Sequence, residues 1–97
     1  MSNKNSLVKV RYFGPISFTL GKKEEMININ SSSIELAKLI EVLVNKYGQE
    51  LEDIIFEEDS QLNQHITVYI NNQKINDTKD KVCQGDEVYF FIALTGG

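Results

Sequence analysis

The last two residues of the sequence, Gly96-Gly97, follow an apolar stretch, Val88-Tyr89-Phe90-Phe91-Ile92-Ala93-Leu94, with only Thr95 between. Glycine has no Cβ, so such a thread can enter a passage too narrow for any side chain. A carboxylate on Gly97 is then a chemical handle presented to another protein's active site. A carboxylate is a poor electrophile at neutral pH, so the handle must be activated before it can accept a group. The other candidates for chemistry are weaker. Cys83 has no histidine beside it and only Lys81 as a local positive charge, so it reads as a small turn or core residue. His65 is the single histidine; with no second ligand or nucleophile it makes neither a metal site nor a catalytic one, and it reads as a surface residue. Asp86 and Glu87 resemble an acid–base pair, but a turn before a strand explains them more simply. No glycine-rich phosphate loop precedes a helix, so any ATP is expected on a partner, with no cofactor bound here.

The bulk numbers set the frame for these residues. Ninety-seven residues make one domain able to bury a single core. A hydrophobic content of 41% and a charged content of 25% are those of an ordinary globular protein. The net charge of -4, with no Lys/Arg-rich block, leaves nucleic acid without an electrostatic footprint. No apolar run approaches the ~20 residues of a membrane span. The polar start, Met1 to Ser6, and the lone cysteine point to the cytoplasm. Glu50, Glu52, Asp53, Glu57, Glu58 and Asp59 form an acidic run, read either as a solvated face or as a patch that steers a basic partner.

The elements that must position the tail follow from periodicity. Residues 7–13 alternate, with Val8, Val10 and Tyr12 on one face and Lys9 and Arg11 on the other, and Gly14-Pro15 closes the strand with a turn. A second strand, Glu24 to Ile29, turns Ile27 and Ile29 inward and pairs with the first as an antiparallel hairpin. Leu36, Leu39, Ile40, Leu43 and Tyr47 then recur at helical spacing. Ser32 and Glu35 supply a capping box, and Gly48 ends the helix, which spans Ser33 to Tyr47. Leu51, Ile54, Ile55 and Phe56 make a short helix within Gln49–Gln64. Ile66, Val68 and Ile70 alternate as a third strand, Asn71-Asn72 is a turn, and Lys74-Ile75 is a short return strand. Asn76-Asp77-Thr78 and Gln84-Gly85-Asp86 are turns. The last strand, Glu87 to Leu94, is apolar on both faces and is expected to be central and buried. This order predicts an α+β fold, a β-grasp, with a mixed sheet of four to five strands packed on one main helix. Its first and last strands pair in parallel at the centre. Residues 1–6 are expected to form a disordered tail, 7–94 the domain, and 95–97 a flexible end.

Three segments together carry a resemblance: Val8-Lys9-Val10-Arg11-Tyr12-Phe13-Gly14; Val68-Tyr69-Ile70-Asn71-Asn72 with Lys81-Val82 and Gln84-Gly85-Asp86-Glu87-Val88; and Phe90-Phe91-Ile92-Ala93-Leu94-Thr95-Gly96-Gly97. From Leu7 onward the chain resembles the MoaD/ThiS family of ubiquitin-like sulfur carriers. Its length and opening strand are most like the small subunit of molybdopterin synthase. Carriers for thiamine, cysteine or a tungsten cofactor, and ubiquitin-like protein modifiers, share the pattern.

The resemblance implies that Gly97 is the acceptor. A MoeB-like adenylyltransferase, related to ubiquitin-activating enzymes, uses ATP to make its acyl-adenylate, and a sulfur donor converts that to a thiocarboxylate. The tail, Thr95-Gly96-Gly97, then inserts into a MoaE-like large subunit, giving a heterotetramer that builds the dithiolene of molybdopterin for the molybdenum cofactor. This chain would be the sulfur-carrying cosubstrate, with no catalytic site of its own. From Ala93 to Gly97 an extended chain reaches roughly 16 Å at ~3.3 Å per residue. Ordering it costs about 1–2 kcal/mol per residue, so contacts by the body must offset that. Phe13, Phe91 and Leu94 are the expected apolar contacts on an exposed sheet face.

Overall fold

The computed structural model describes residues 6–56 and 66–92. Strand β1, Leu7–Phe13, follows its alternation: Val8, Val10 and Tyr12 are buried, and the residues between them are half-buried on the opposite face. Ser6, assigned by sequence to the N-terminal tail, is in fact buried, and its carbonyl accepts the Ile29 N–H at 2.9 Å. Residues 1–5 of that tail and residues 93–97 lie outside the described residues, as do His65 and the acidic residues Glu57, Glu58 and Asp59.

Gly14-Pro15 does not simply turn the chain. Proline's fixed φ and missing N–H suit the first turn of a helix, and α1 (Pro15–Leu20) starts there. It is closed by Gly21 in the left-handed region, φ 74°, whose N–H donates to the Ser17 carbonyl at 2.9 Å. Strand β2 (Glu24–Asn28) then returns antiparallel to β1, with Val8 opposite Ile27.

The expected capping box does not form. Ser33–Glu35 is a short strand, β3, antiparallel to β6 (Lys81–Cys83). The main helix, α2, runs Leu36–Tyr47 without a side-chain N-cap. Its first N–H groups are satisfied from a distance: Leu36 N–H donates to the Asp80 carbonyl at 2.8 Å and Ala37 N–H to that of Thr78 at 2.9 Å. A side-chain cap is one way to satisfy these orphan donors, and a loop brought in by tertiary folding is another. Leu36, Leu39, Ile40 and Leu43 are buried along the predicted stripe, and Tyr47 is half-buried. Gly48 ends α2 as expected and at once starts α3, Gln49–Ile55, which buries Leu51 and Ile55.

Strands β4 (Ile66–Ile70) and β5 (Gln73–Ile75) form the second hairpin. Its turn places Asn71 at φ 58°, a conformation asparagine tolerates. The last strand, β7 (Glu87–Ile92), pairs in parallel with β1 and antiparallel with β4. The five-stranded order is β2-β1-β7-β4-β5, so β7 is central and the predicted parallel pairing of first and last strands holds. This is the mixed sheet of a β-grasp. One expectation is corrected. β7 is not buried on both faces: Val88 and Phe90 are fully buried beneath the helices, but Tyr89 is half-buried and Phe91 is 38% exposed on the other face.

Candidate functional site at the end of the central strand

Because β1 and β7 run parallel, their C-terminal ends lie side by side, with Tyr12 opposite Phe90 and Phe13 opposite Phe91. β4 begins at the same end, where Ile66 pairs with Ile92. β7 therefore ends, at Ile92, at the same end of the sheet as β1. Gly97, Gly96, Thr95 and Leu94 themselves lie outside the described residues.

At that end the open face of the sheet carries four aromatic rings in contact. Phe13 and Phe91 stack at 4.5 Å between centroids, Phe13 and Tyr89 at 5.9 Å, and Tyr69 meets Phe91 edge-on at 5.7 Å. The Arg11 guanidinium lies 5.5 Å from the Phe13 centroid and 5.6 Å from that of Tyr89, and its Nε is 3.3 Å from Glu24. These contacts restrict the rings' rotamers before any partner arrives, which lowers the entropy lost on docking. A shallow depression of about 310 Å³ opens among Tyr69, Asn71, Asn72, Tyr89 and Phe91. A larger cleft, about 690 Å³, is lined by Ile70, Lys74, Asp80 and Lys81 among others. It is polar and adjoins the shallow depression at the Asn71-Asn72 turn, at the far end of β4 from Ile92. The structure places Phe13 and Phe91 side by side on the open face, with Tyr69, Tyr89 and Arg11 beside them. The alternation of β7 and β4 carried that signal: Tyr69 and Tyr89 stand opposite each other in register.

Across the sheet, on the core side, a second group was not foreseen. The Glu25 carboxylate, its side chain only 8% exposed, accepts hydrogen bonds from the Tyr12 hydroxyl at 2.6 Å and the Tyr47 hydroxyl at 2.5 Å. Lys46 Nζ donates to its other oxygen at 2.5 Å, and Lys22 Nζ approaches at 3.4 Å. Burial alone would raise the Glu25 carboxyl. The hydrogen bonds from Lys46, Tyr12 and Tyr47 outweigh it and hold the group at about 2, below its ordinary 4.5. Burial, then the adjacent carboxylate, pushes both phenols well above their ordinary range. The cluster ties β1, β2 and the last turn of α2 together near the root of the tail.

The competing candidates fall elsewhere. Cys83 is exposed on β6. The turn after it meets the start of the sheet, where Gly85 N–H donates to the Leu7 carbonyl at 2.8 Å. Asp86 accepts the Cys83 N–H at 2.8 Å and the Asn71 side-chain amide at 3.1 Å, and Asn71 accepts the Glu87 N–H at 3.1 Å. Asp86 is therefore a turn residue, as expected, and it stitches two turns together. Among the described residues no His, Cys, Asp and Glu gather as a metal site, and no helix is long and apolar enough to cross a membrane.

The same fold occurs in several solved structures. SAMP1 from Haloferax volcanii superposes with a TM-score of 0.81 at 21% identity, over 94% of this chain and 99% of that one. Urm1 from Trypanosoma brucei gives 0.77 at 23% identity over the full length of both. Subunit 1 of molybdopterin-converting factor from Helicobacter pylori 26695, in complex with subunit 2, gives 0.60 at 20% identity, over 94% of this chain and 99% of that one. No curated protein matches the sequence. The model of the ThiS family matches residues 10–97, the strand bearing Phe13 at one end and Gly97 at the other, and the chain belongs to that family.

Proposed function

We propose that this protein is a cytoplasmic sulfur carrier whose Gly97 carboxylate is activated and converted to a thiocarboxylate, and that it delivers this sulfur as the small subunit of molybdopterin synthase. One observation carries the reading. The central strand runs toward Gly97 through a segment that the family covers to its last residue, and an aromatic face stands at the root of that segment. In the first step a carboxylate oxygen of Gly97 attacks the α-phosphorus of an ATP held by a MoeB-like adenylyltransferase. Pyrophosphate leaves and an acyl-adenylate forms. A sulfide-level donor then attacks the acyl carbon, AMP leaves, and the thiocarboxylate remains. Gly96 and Gly97 suit both steps, since a passage that excludes Cβ atoms also keeps water from the acyl-adenylate. The large, MoaE-like subunit fits the same surface. It would receive the tail and rest on Phe13, Phe91 and Leu94, in a heterotetramer; the Helicobacter pylori subunit 1 is likewise found in complex with a subunit 2.

The test is intact-mass analysis after incubation with the adenylyltransferase, ATP and a sulfur source. Wild type is expected to exchange one oxygen for sulfur, and deletion of Gly97 to abolish the exchange. Sulfur gained by the deletion variant would move the site elsewhere, with Cys83 the next suspect. Adding the large subunit and the cyclic pterin precursor then tests the pathway. A carrier that forms the thiocarboxylate but yields no dithiolene serves thiamine or cysteine synthesis instead, since a tungsten cofactor needs the same dithiolene. Reductant-resistant adducts on lysines would mark a protein modifier.

A further inference from the structure

Phe18 is 87% exposed, far more than any other large apolar side chain among the described residues; Met26 follows at 52% and Phe91 at 38%. No ring pair in the described structure includes it. Its backbone is nonetheless tightly held. Pro15 opens α1, Ser17 Oγ donates to the Gly14 carbonyl at 2.9 Å, Gly21 caps the other end in the left-handed region, and Ile16 is fully buried. Leu20 also packs against the core. Ile16 faces inward, so Phe18, two residues on and about 200° around the helix, faces out. A rigid turn that presents one bare aromatic ring to water is the arrangement of an interface anchor: large apolar area with little entropy to lose.

Position says what covers it. α1 packs against β7, the strand that leads into the tail. The five residues from 93 to 97 span at most about 18 Å, so an active site that takes Gly97 must open within that distance of Ile92. A typical interface of about 800 Å² per partner, drawn as a disc, has a radius of about 16 Å. An interface of that size around the mouth is wide enough to reach α1, which packs against the same strand. We infer that Phe18 is an anchor for the adenylate-forming enzyme that activates Gly97, inserting into an apolar socket beside the mouth of that enzyme's active site. This rests on the sulfur-carrier reading and adds to it a residue on the helical side of the tail, across from the aromatic sheet face.

The experiment follows ATP–pyrophosphate exchange by the MoeB-like adenylyltransferase as a function of carrier concentration, with the full chain as substrate. Phe18→Ser is expected to raise KM about tenfold with kcat within about twofold, because an anchor lost from the body leaves the tail's chemistry intact. Phe18→Leu should recover most of the loss. Melting temperatures of both variants should match wild type, since the ring touches little of the fold. A KM for Phe18→Ser within about twofold of wild type overturns the inference. So does a wild-type dimer that Phe18→Ser converts to monomer with KM unchanged, since the ring would then be covered by a second copy. These outcomes leave the sulfur-carrier reading standing. If wild type supports no exchange at all, that reading fails at its first step and the anchor falls with it.

Discussion

Glu25 shows how one carboxylate couples pH to the fold. A carboxyl held at about 2 instead of 4.5 binds fewer protons folded than unfolded across that window, so stability falls as pH drops through it. The stabilisation this gives is fully present above about pH 4.5 and gone near pH 2. Glu25→Gln should therefore lower stability at pH 7 by on the order of 2 kcal/mol. The gap to wild type should close between pH 4.5 and pH 2, as followed by urea unfolding at each pH. A variant that keeps the wild-type acid profile in that window would show that another group sets it. The position was legible in principle. The period of two that turns Ile27 and Ile29 inward turns Glu25 inward as well, and a core-facing carboxylate requires donors. Its partners were not legible, because Lys46 and Tyr47 reach it only after α2 has docked, 21 and 22 residues away in sequence.

At the scale of elements, local signals placed what local forces decide. The alternation of β1 and β4, the apolar stripe of α2 and the asparagine turn after β4 were all readable. The short pair β3 and β6 was not, since three-residue strands hold too little alternation and their pairing spans some 48 residues, from Glu35–Lys81 to Ser33–Cys83. That long-range pairing also displaced the capping box, for Ser33 to Glu35 cannot be both helix and ladder. Gly14-Pro15 was ambiguous because proline at a turn and proline at a helix start look alike. Gly48 was read as an end, and the structure makes it a joint. Its φ of 84° and ψ of -154° lie in a region essentially reserved for glycine. A Cβ there would meet nothing within 4 Å, so any penalty is purely backbone strain. Gly48→Ala is expected to cost about 1–3 kcal/mol in chemical denaturation. Loss below that range would mean that α3 re-angles at little expense and that the joint is soft.

Across the whole molecule, β7 divides the labour of the fold between two faces of one strand. Phe90, fully buried, packs beneath the helices with Tyr12, their centroids 6.2 Å apart. Phe91, one residue on, lies on the open face with Phe13. The sequence showed only a continuous apolar run, which periodicity alone assigns to a strand buried on both sides. That one face of the sheet is open came instead from the order of the elements, which supplies one main helix to cover the sheet, and the two readings of β7 conflicted until the topology was assembled. A central strand that is apolar toward water is stable here because it is paired on both edges, and its outer rings are then free to serve binding. The two faces should therefore respond oppositely to the same change. Phe90→Ala should cost about 3–5 kcal/mol, a large part of the 5–15 kcal/mol that holds a typical domain folded. Phe91→Ala should cost about 1 kcal/mol, the value of its stacking, yet weaken binding of the large synthase subunit about tenfold or more. Urea unfolding reads the first quantity and titration calorimetry with the large subunit the second. If Phe91→Ala binds that subunit as tightly as wild type, the open face is not its docking surface, and the apolar outer row of β7 stands without a role.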